Sequence, residues 1–257
     1  MIWRDEICLC LVAKKLLHLV LAESALELIP PELWSHPEVR RDAARRRLSP
    51  GSMLLDRSYH HRAMLRLPNA ERRGRPDIVH FALLSALGTP LSMVGELRVH
   101  VHTLGNLVVE VSPSTRLPRN YLRFKGLFEQ ALKEGRAPPG GASLPLLTVR
   151  EQRIDELLAE LSPSKAIGLS RLGEPMPLSE VAGHLASSGN TAAIVGGFPR
   201  GHFTDETKRM LNEVYAIDPA PLEAWVVTAR LVYAVERAMG LEEKRIKELR
   251  EARSTPR

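Results

Sequence analysis

Cysteine is nearly absent from this 257-residue chain: Cys8 and Cys10 are the only two. Two positions apart on an extended chain they cannot close an unstrained disulfide, and a lone C-x-C is a poor metal site. A disulfide scaffold is thereby excluded, and a reducing cytosol is the expected setting. A long unbroken apolar run is missing as well. The first one is interrupted by Lys14 and Lys15 and then by Glu23 and Glu27, so neither a membrane span nor a signal peptide fits. A soluble, cytoplasmic protein with no membrane partner is expected. No internal repeat is visible.

What is present is an ordinary globular composition, 44% hydrophobic and 26% charged, which excludes disordered and fibrous classes. Lys and Arg number 36 against 30 Asp and Glu, a net charge of +6, which makes polyanions, nucleic acid first, the partners to test. Basic residues cluster at 40–47, 71–75 and 116–126; the first cluster reads as a solvated helix face.

Residues 16–22 suit a buried strand, and ESALELIPPELW after it reads as a helix stopped by Pro30 and Pro31. A charged helix over 36–47 follows. Asp77 can cap a helix that ends at Gly88, with Ile78, Phe81, Ala82, Leu84 and Ser85 on its apolar side. Residues 97–113 have the alternation of a β-hairpin turning at Gly105 and Asn106. His100 and His102 share a face of its first strand; without a third ligand in reach they read as solvent-facing, and no metal site is assigned. A helix is expected over 118–133, and a surface loop or insertion boundary at 135–145. Thereafter strands and helices alternate regularly, which predicts an α/β fold: a parallel sheet covered by helices on both faces. The whole chain, 1–257, reads as one domain with its core over about 16–241 and a charged tail, 242–257, that frays.

Three loops follow strands in the second half: LSRLGEP, GGFPRG and DPAPLE. In open α/β sheets ligands sit beyond the carboxyl ends of the strands, so these loops are candidates to share one pocket. GGFPRG matches neither dinucleotide nor P-loop glycine spacing, and Asp205 with Glu206 puts negative charge where a phosphate would want a helix N-terminus. A nicotinamide-dependent oxidoreductase is therefore disfavoured. A ligand without phosphates, held by backbone groups in apolar surroundings, fits better; adenosine joined to a methionine moiety would qualify. Elsewhere, Arg116, Arg119 and Arg123 form R-x-x-R-x-x-x-R around the start of the expected helix, where cations oppose the macrodipole unless an anionic partner compensates. Tyr121 and Phe124 interleave with them.

RPDIVHFALLSALGTPL, VHTLGNLVVEVSPSTRLPRNYLRFKGLFEQAL, IVGGFPRGHF and PLEAWVVTARLVYAVE together resemble the ribosome-biogenesis methyltransferases that act on pseudouridine N1 of small-subunit rRNA, in the SPOUT superfamily. The likeness runs over about 16–241; residues 1–15 stand outside it and read as an extension or a start-site artefact. The resemblance implies a C-terminal deep trefoil knot, S-adenosylmethionine as cofactor, small-subunit rRNA as substrate and a homodimer, with ribosome-assembly proteins as further partners. Cofactor contacts would fall on Leu169 and Ser170, on Gly196, Gly197, Phe198 and Gly201, and on Ala216, Ile217, Asp218, Pro219, Ala220, Pro221 and Leu222. rRNA contacts would fall on Arg75, Asp77, Arg116, Arg119 and Arg123, with Asp77 the candidate catalytic base or orienter. The competing expectation is an RNA-binding assembly factor with secondary or no methyl transfer.

Overall fold

A computed structural model of the chain describes residues 15–140, 144–187 and 189–254. Cys8, Cys10, residues 1–14, part of the 135–145 loop and the last three residues lie outside the described residues. The first half runs β1 (Leu16–Ser24), α1 (Pro37–Arg46), α2 (Arg57–Met64), α3 (Pro76–Leu87) and α4 (Pro90–Met93). Next come β2 (Leu97–Thr103), β3 (Leu107–Val111), α5 (Tyr121–Glu134), β4 (Arg136–Ala137), β5 (Leu147–Glu151) and α6 (Ile154–Leu161). The second half continues with β6 (Lys165–Pro175), α7 (Leu178–Ser187), β7 (Asn190–Gly196), α8 (Asp205–Arg209), β8 (Glu213–Ala216), α9 (Ala224–Ala238) and α10 (Leu241–Ser254). None of the described helices is long and apolar enough to cross a membrane.

One eight-stranded sheet has the order β4-β5-β3-β2-β1-β7-β6-β8. β2, β1, β7, β6 and β8 are mutually parallel, as expected, but β5 pairs antiparallel with both β3 and β4. The hairpin turn reverses the chain at β3, and β5 adds to that reversed edge rather than to the parallel centre. β1 explains the two-layer burial: Leu17, Leu19 and Leu21 point into the larger core under α3, α5, α7 and α9, while Val20 and Ala22 point into the smaller one under α6. A strand buried on both faces reads as a continuous apolar run, which is what 16–22 is.

Several expectations fail for identifiable reasons. The stretch after β1 is not an α-helix: Leu28 bridges Leu54, and only Pro31–Leu33 turn, as a 3-10 helix that starts at the prolines instead of stopping there. Glu23 adopts a left-handed φ of 51°, and the chain instead bonds to the 53–55 segment through Ile29 N–H to Met53 O and Leu55 N–H to Glu27 O. Asp77 is not the cap of α3: the helix starts at Pro76 with Arg75 in the cap position, so Asp77 lies inside the first turn. The buried side of α3 is Ile78, Val79, Ala82, Leu83 and Ala86, while Phe81 is exposed. α5 starts later than expected because the Asn120 carboxamide accepts the Arg123 N–H at 3.1 Å, which leaves Pro118 and Arg119 outside the helix. Arg119 and Arg123 are consequently not one helical turn apart. Arg136 and Ala137 form β4 inside the supposed loop, and the tail is a helix, α10, over Leu241–Ser254. On α9 the buried positions are Thr228, Leu231, Val232, Val235 and Glu236, while Tyr233 is exposed.

His100 and His102 are buried rather than solvent-facing, because the second face of the sheet is covered by the layer that includes α6. His100 lies 3.0 Å from His18 through Nε2 and Nδ1, and His102 Nδ1 accepts the Glu23 N–H. Burial pushes the His100 imidazole down to about 4 and His18 down as well. Both rings stay neutral in the folded chain while the unfolded chain takes up protons near 6.5. Their contribution is therefore complete above pH 6.5 and declines as pH falls toward 4. Denaturant midpoints measured across that window should fall with pH, and His100→Gln should flatten the decline.

Candidate active site

The three segments expected to share a pocket do so, but LSRLGEP is not a loop: it lies within β6, whose register with β8 shifts between Leu169 and Glu174. β6, β7 and β8 are parallel neighbours, so their carboxyl ends deliver Leu169, Gly196 and Ala216 to the same edge. A cavity of about 430 Å³ is lined by Leu169, Ser170, Gly196, Phe198, Gly201, Pro221 and Leu222 together with Ile78, Arg171, Arg200, Phe203 and Val227. A smaller cavity of about 80 Å³ shares Leu169, Ser170 and Leu222 with it and adds Ala216, Ile217, Asp218 and Ala220. Of the residues expected there, Gly197 and Pro219 line neither. Asp218 is engaged locally: its carboxylate accepts the Ala220 N–H and pairs with Arg230 of α9 at 3.3 Å.

The glycines are required by close approach. A Cβ on Gly196 would stand 2.8 Å from the Phe198 ring, and one on Gly197 would stand 2.1 Å from Ser24 Oγ. Gly197 is stitched to the end of β1 by its N–H to Ala22 O and by the Ala25 N–H to its own carbonyl. Behind the loop lies a buried ionic cluster that sequence reading missed. Glu23 Oε1 accepts from the Thr204 N–H, the Thr204 hydroxyl and the Thr207 hydroxyl, while Oε2 takes Arg72 Nη2 at 2.5 Å. Arg72 also donates to His202 O and lies 4.2 Å from the Phe198 ring centroid. The available signal was an acid, Glu23, directly after an apolar run broken only by His18, and a second basic run at 71–75.

The start of α3 brings in the second group of residues. Arg75 grips Asp77 with two parallel bonds of 2.8 and 2.7 Å, both side chains being about one-third exposed. The Asp77 partnership raises the Arg75 pKa, burial opposes it, and Glu223 at the cavity wall adds to the rise. His80, one turn further, donates from Nε2 to Pro118 O at 2.8 Å and stacks 4.3 Å from Phe124. That bond ties the 116–119 segment to α3. Arg116, Arg119 and Arg123 are all exposed, and none has a carboxylate partner among the described residues. Beneath them, Asp56 accepts from Lys125 Nζ at 2.9 Å and from the Tyr121 hydroxyl at 2.8 Å, an internal brace for α5. Burial pushes the Asp56 carboxyl up, but Lys125 and Tyr121 outweigh it and hold it below the usual range. Phe124, next to the exposed cations, is fully buried.

The arrangement defines an α/β protein with a ligand cavity of mixed polar and apolar lining beside its parallel strands and a separate group of exposed arginines. The EMG1/NEP1 methyltransferase family model matches residues 19–236. The ribosomal RNA small subunit methyltransferase Nep1 of Pyrobaculum arsenaticum is 45% identical over 226 residues, 87% of this chain and 99% of that protein. Its namesake from Staphylothermus marinus is 41% identical over 223 residues, covering 87% and 96%. The crystal structure of Archaeoglobus fulgidus Nep1 bound to S-adenosylhomocysteine superposes with a TM-score of 0.76 at 34% identity, covering 88% of this chain and 99% of that one. The chain belongs to the EMG1/NEP1 methyltransferase family.

The Gly197 packing gives a direct test. Gly197→Ala puts a methyl into Ser24, and the loop must shift to accept it. A loss of about 1–3 kcal/mol in denaturant unfolding is the expected result.

Proposed function

We propose that this protein transfers a methyl group from S-adenosylmethionine to N1 of a pseudouridine in small-subunit rRNA, in ribosome biogenesis. The observation that carries the reading is the cavity itself: the end segments of β6 and β7 and the chain before α9 converge on it, lining it with Leu169, Phe198 and Leu222 together with polar groups such as Ser170 and Glu223. Leu169, Ser170, Gly196, Phe198, Gly201 and Pro221 with Leu222 would hold the cofactor in the larger space, and Ala216, Ile217, Asp218 and Ala220 would close the smaller one. Gly197 and Pro219 would act by shaping their loops. When bound, the cofactor supplies an activated methyl on a sulfonium.

Pseudouridine is joined to ribose through carbon, so its N1 bears a proton that must leave. Asp77 would orient or accept it: it lines neither cavity itself, but Ile78, the next residue, lines the larger one, and Arg75 fixes the carboxylate. Holding both reactants in line can supply on the order of 7 kcal/mol without a covalent intermediate. Arg75 retains N–H donors beyond the two it gives Asp77. It joins Arg116, Arg119 and Arg123 in gripping the phosphates of a single-stranded loop from which the base is turned out.

The same reading includes a homodimer, ribosome-assembly partners, a cytoplasmic setting and a trefoil-knotted C-terminal segment. The exposed Phe81 and Tyr233, on the adjoining helices α3 and α9, support an apolar contact between copies. One observation favours the alternative of an RNA-binding assembly factor: both Asp77 oxygens are already engaged by Arg75. Purified protein that binds the cofactor but leaves pseudouridine-containing rRNA unmethylated would support that alternative.

Mass mapping of rRNA incubated with protein and S-adenosylmethionine tests the reading. Asp77→Asn should lower the single-turnover rate by about 100-fold with little change in RNA affinity; an unchanged rate removes Asp77 from the chemistry. Arg119→Ala should weaken RNA binding and reduce its salt slope by about one charge, whereas an identical slope would refute the phosphate contact.

A further inference from the structure

Arg72 has no place in the chemistry above, yet it touches more of the site than any other cation outside it. Its guanidinium is held between the buried Glu23 carboxylate and the face of Phe198, a cavity-lining residue, and it donates to His202 O at the far end of the same loop. Gly201, whose φ is 92°, lies so close that an added Cβ would come within 3.6 Å of Arg72 Nη1. Any group that presses on Phe198 from the cavity therefore presses on Arg72.

Three residues on is Arg75. The intervening backbone is pinned: the Gly74 carbonyl accepts the Arg57 N–H at 2.9 Å, and Arg73 grips Glu27 with two bonds of 2.8 and 2.6 Å. A second fixed route runs in parallel: the Arg75 N–H bonds to Ala25 O, and the Ala25 N–H bonds to Gly197 O. The glycine loop and the Arg75–Asp77 pair are thus joined at two points by short hydrogen-bonded links, with Arg72 as the side-chain link.

We propose that Arg72 is a positioning residue that couples the cofactor loop to the rRNA-binding segment, so that cofactor and RNA each bind more tightly when the other is present. This rests on the functional reading given above. Coupling between two sites is reciprocal and commonly amounts to between about 5- and 150-fold. Seating a ligand against Phe198 fixes Arg72, and through the rigid 72–75 segment it fixes Arg75; docking RNA on Arg75 does the reverse.

The test is calorimetric titration of S-adenosylhomocysteine into the full chain, with and without a saturating short single-stranded RNA carrying one pseudouridine. Wild type should bind the nucleoside about tenfold more tightly with RNA present. Arg72→Lys keeps a charge for Glu23 but loses the planar fork and its contact with Phe198. It should bind RNA as wild type does, while the ratio of the two nucleoside affinities drops to about one. Phe198→Leu, read the same way, gives a second arm if Arg72→Lys does not fold. A wild-type ratio of one, or a variant ratio equal to that of wild type, overturns the coupling while leaving methyl transfer intact. Failure of wild type to bind S-adenosylhomocysteine at all overturns the functional reading and the coupling with it.

Discussion

A carboxylate buried to 3% exposure must be given donors, and Glu23 draws all of its own from elements distant in sequence. It stands at the end of β1, the strand flanked on both sides by parallel neighbours, with its backbone in the left-handed region. Its partners are Arg72 on one side and the Thr204–Thr207 turn that opens α8 on the other. Removing Arg72 would leave an uncompensated charge in the core at a cost of about 3–5 kcal/mol. The glycine loop between β7 and α8 is therefore shaped from behind, by satisfying one ion, rather than by contacts among its own residues.

That explains a local oddity of the sequence. Asp205 and Glu206 make the N-terminus of α8 unattractive to phosphate, but they suit the helix dipole, and Thr204 caps the helix by accepting the Thr207 N–H. The helix end is spent on holding the loop to Glu23. The cavity itself is lined by Leu169, Phe198 and Leu222 together with Ser170, Arg171, Arg200 and Glu223.

The strand and helix alternation of the second half, the hairpin and the helix beginning near Asp77 were legible because each rests on local periodicity or turn chemistry, whereas LSRLGEP, with its turn-like glycine and proline, continues β6 past a register shift. What was not legible depends on distant partners. The burial of His100 and His102 depends on which side of a strand is covered, and alternation carries no information about that. The Glu23–Arg72 pair joins residues 49 apart, and the Lys125–Asp56 pair joins residues 69 apart. The start of α5 was misplaced because proline is a common first residue, whereas here Asn120 supplies the cap and the Pro118 carbonyl is taken by His80. The tail was expected to fray for its charge, yet acids in the first turn and an arginine in the last favour the helix it forms.

The Arg75–Asp77 fork neutralises itself while a third of each side chain remains in contact with water. Covering it with an uncharged nucleobase would strip water from a compact dipole rather than from two bare ions, which is far less costly. Arg116, Arg119 and Arg123 are unbalanced and exposed. The protein thus carries a charge-balanced pair at the start of α3 and a set of bare, hydrated cations elsewhere, two regions that differ in how easily each can be dried.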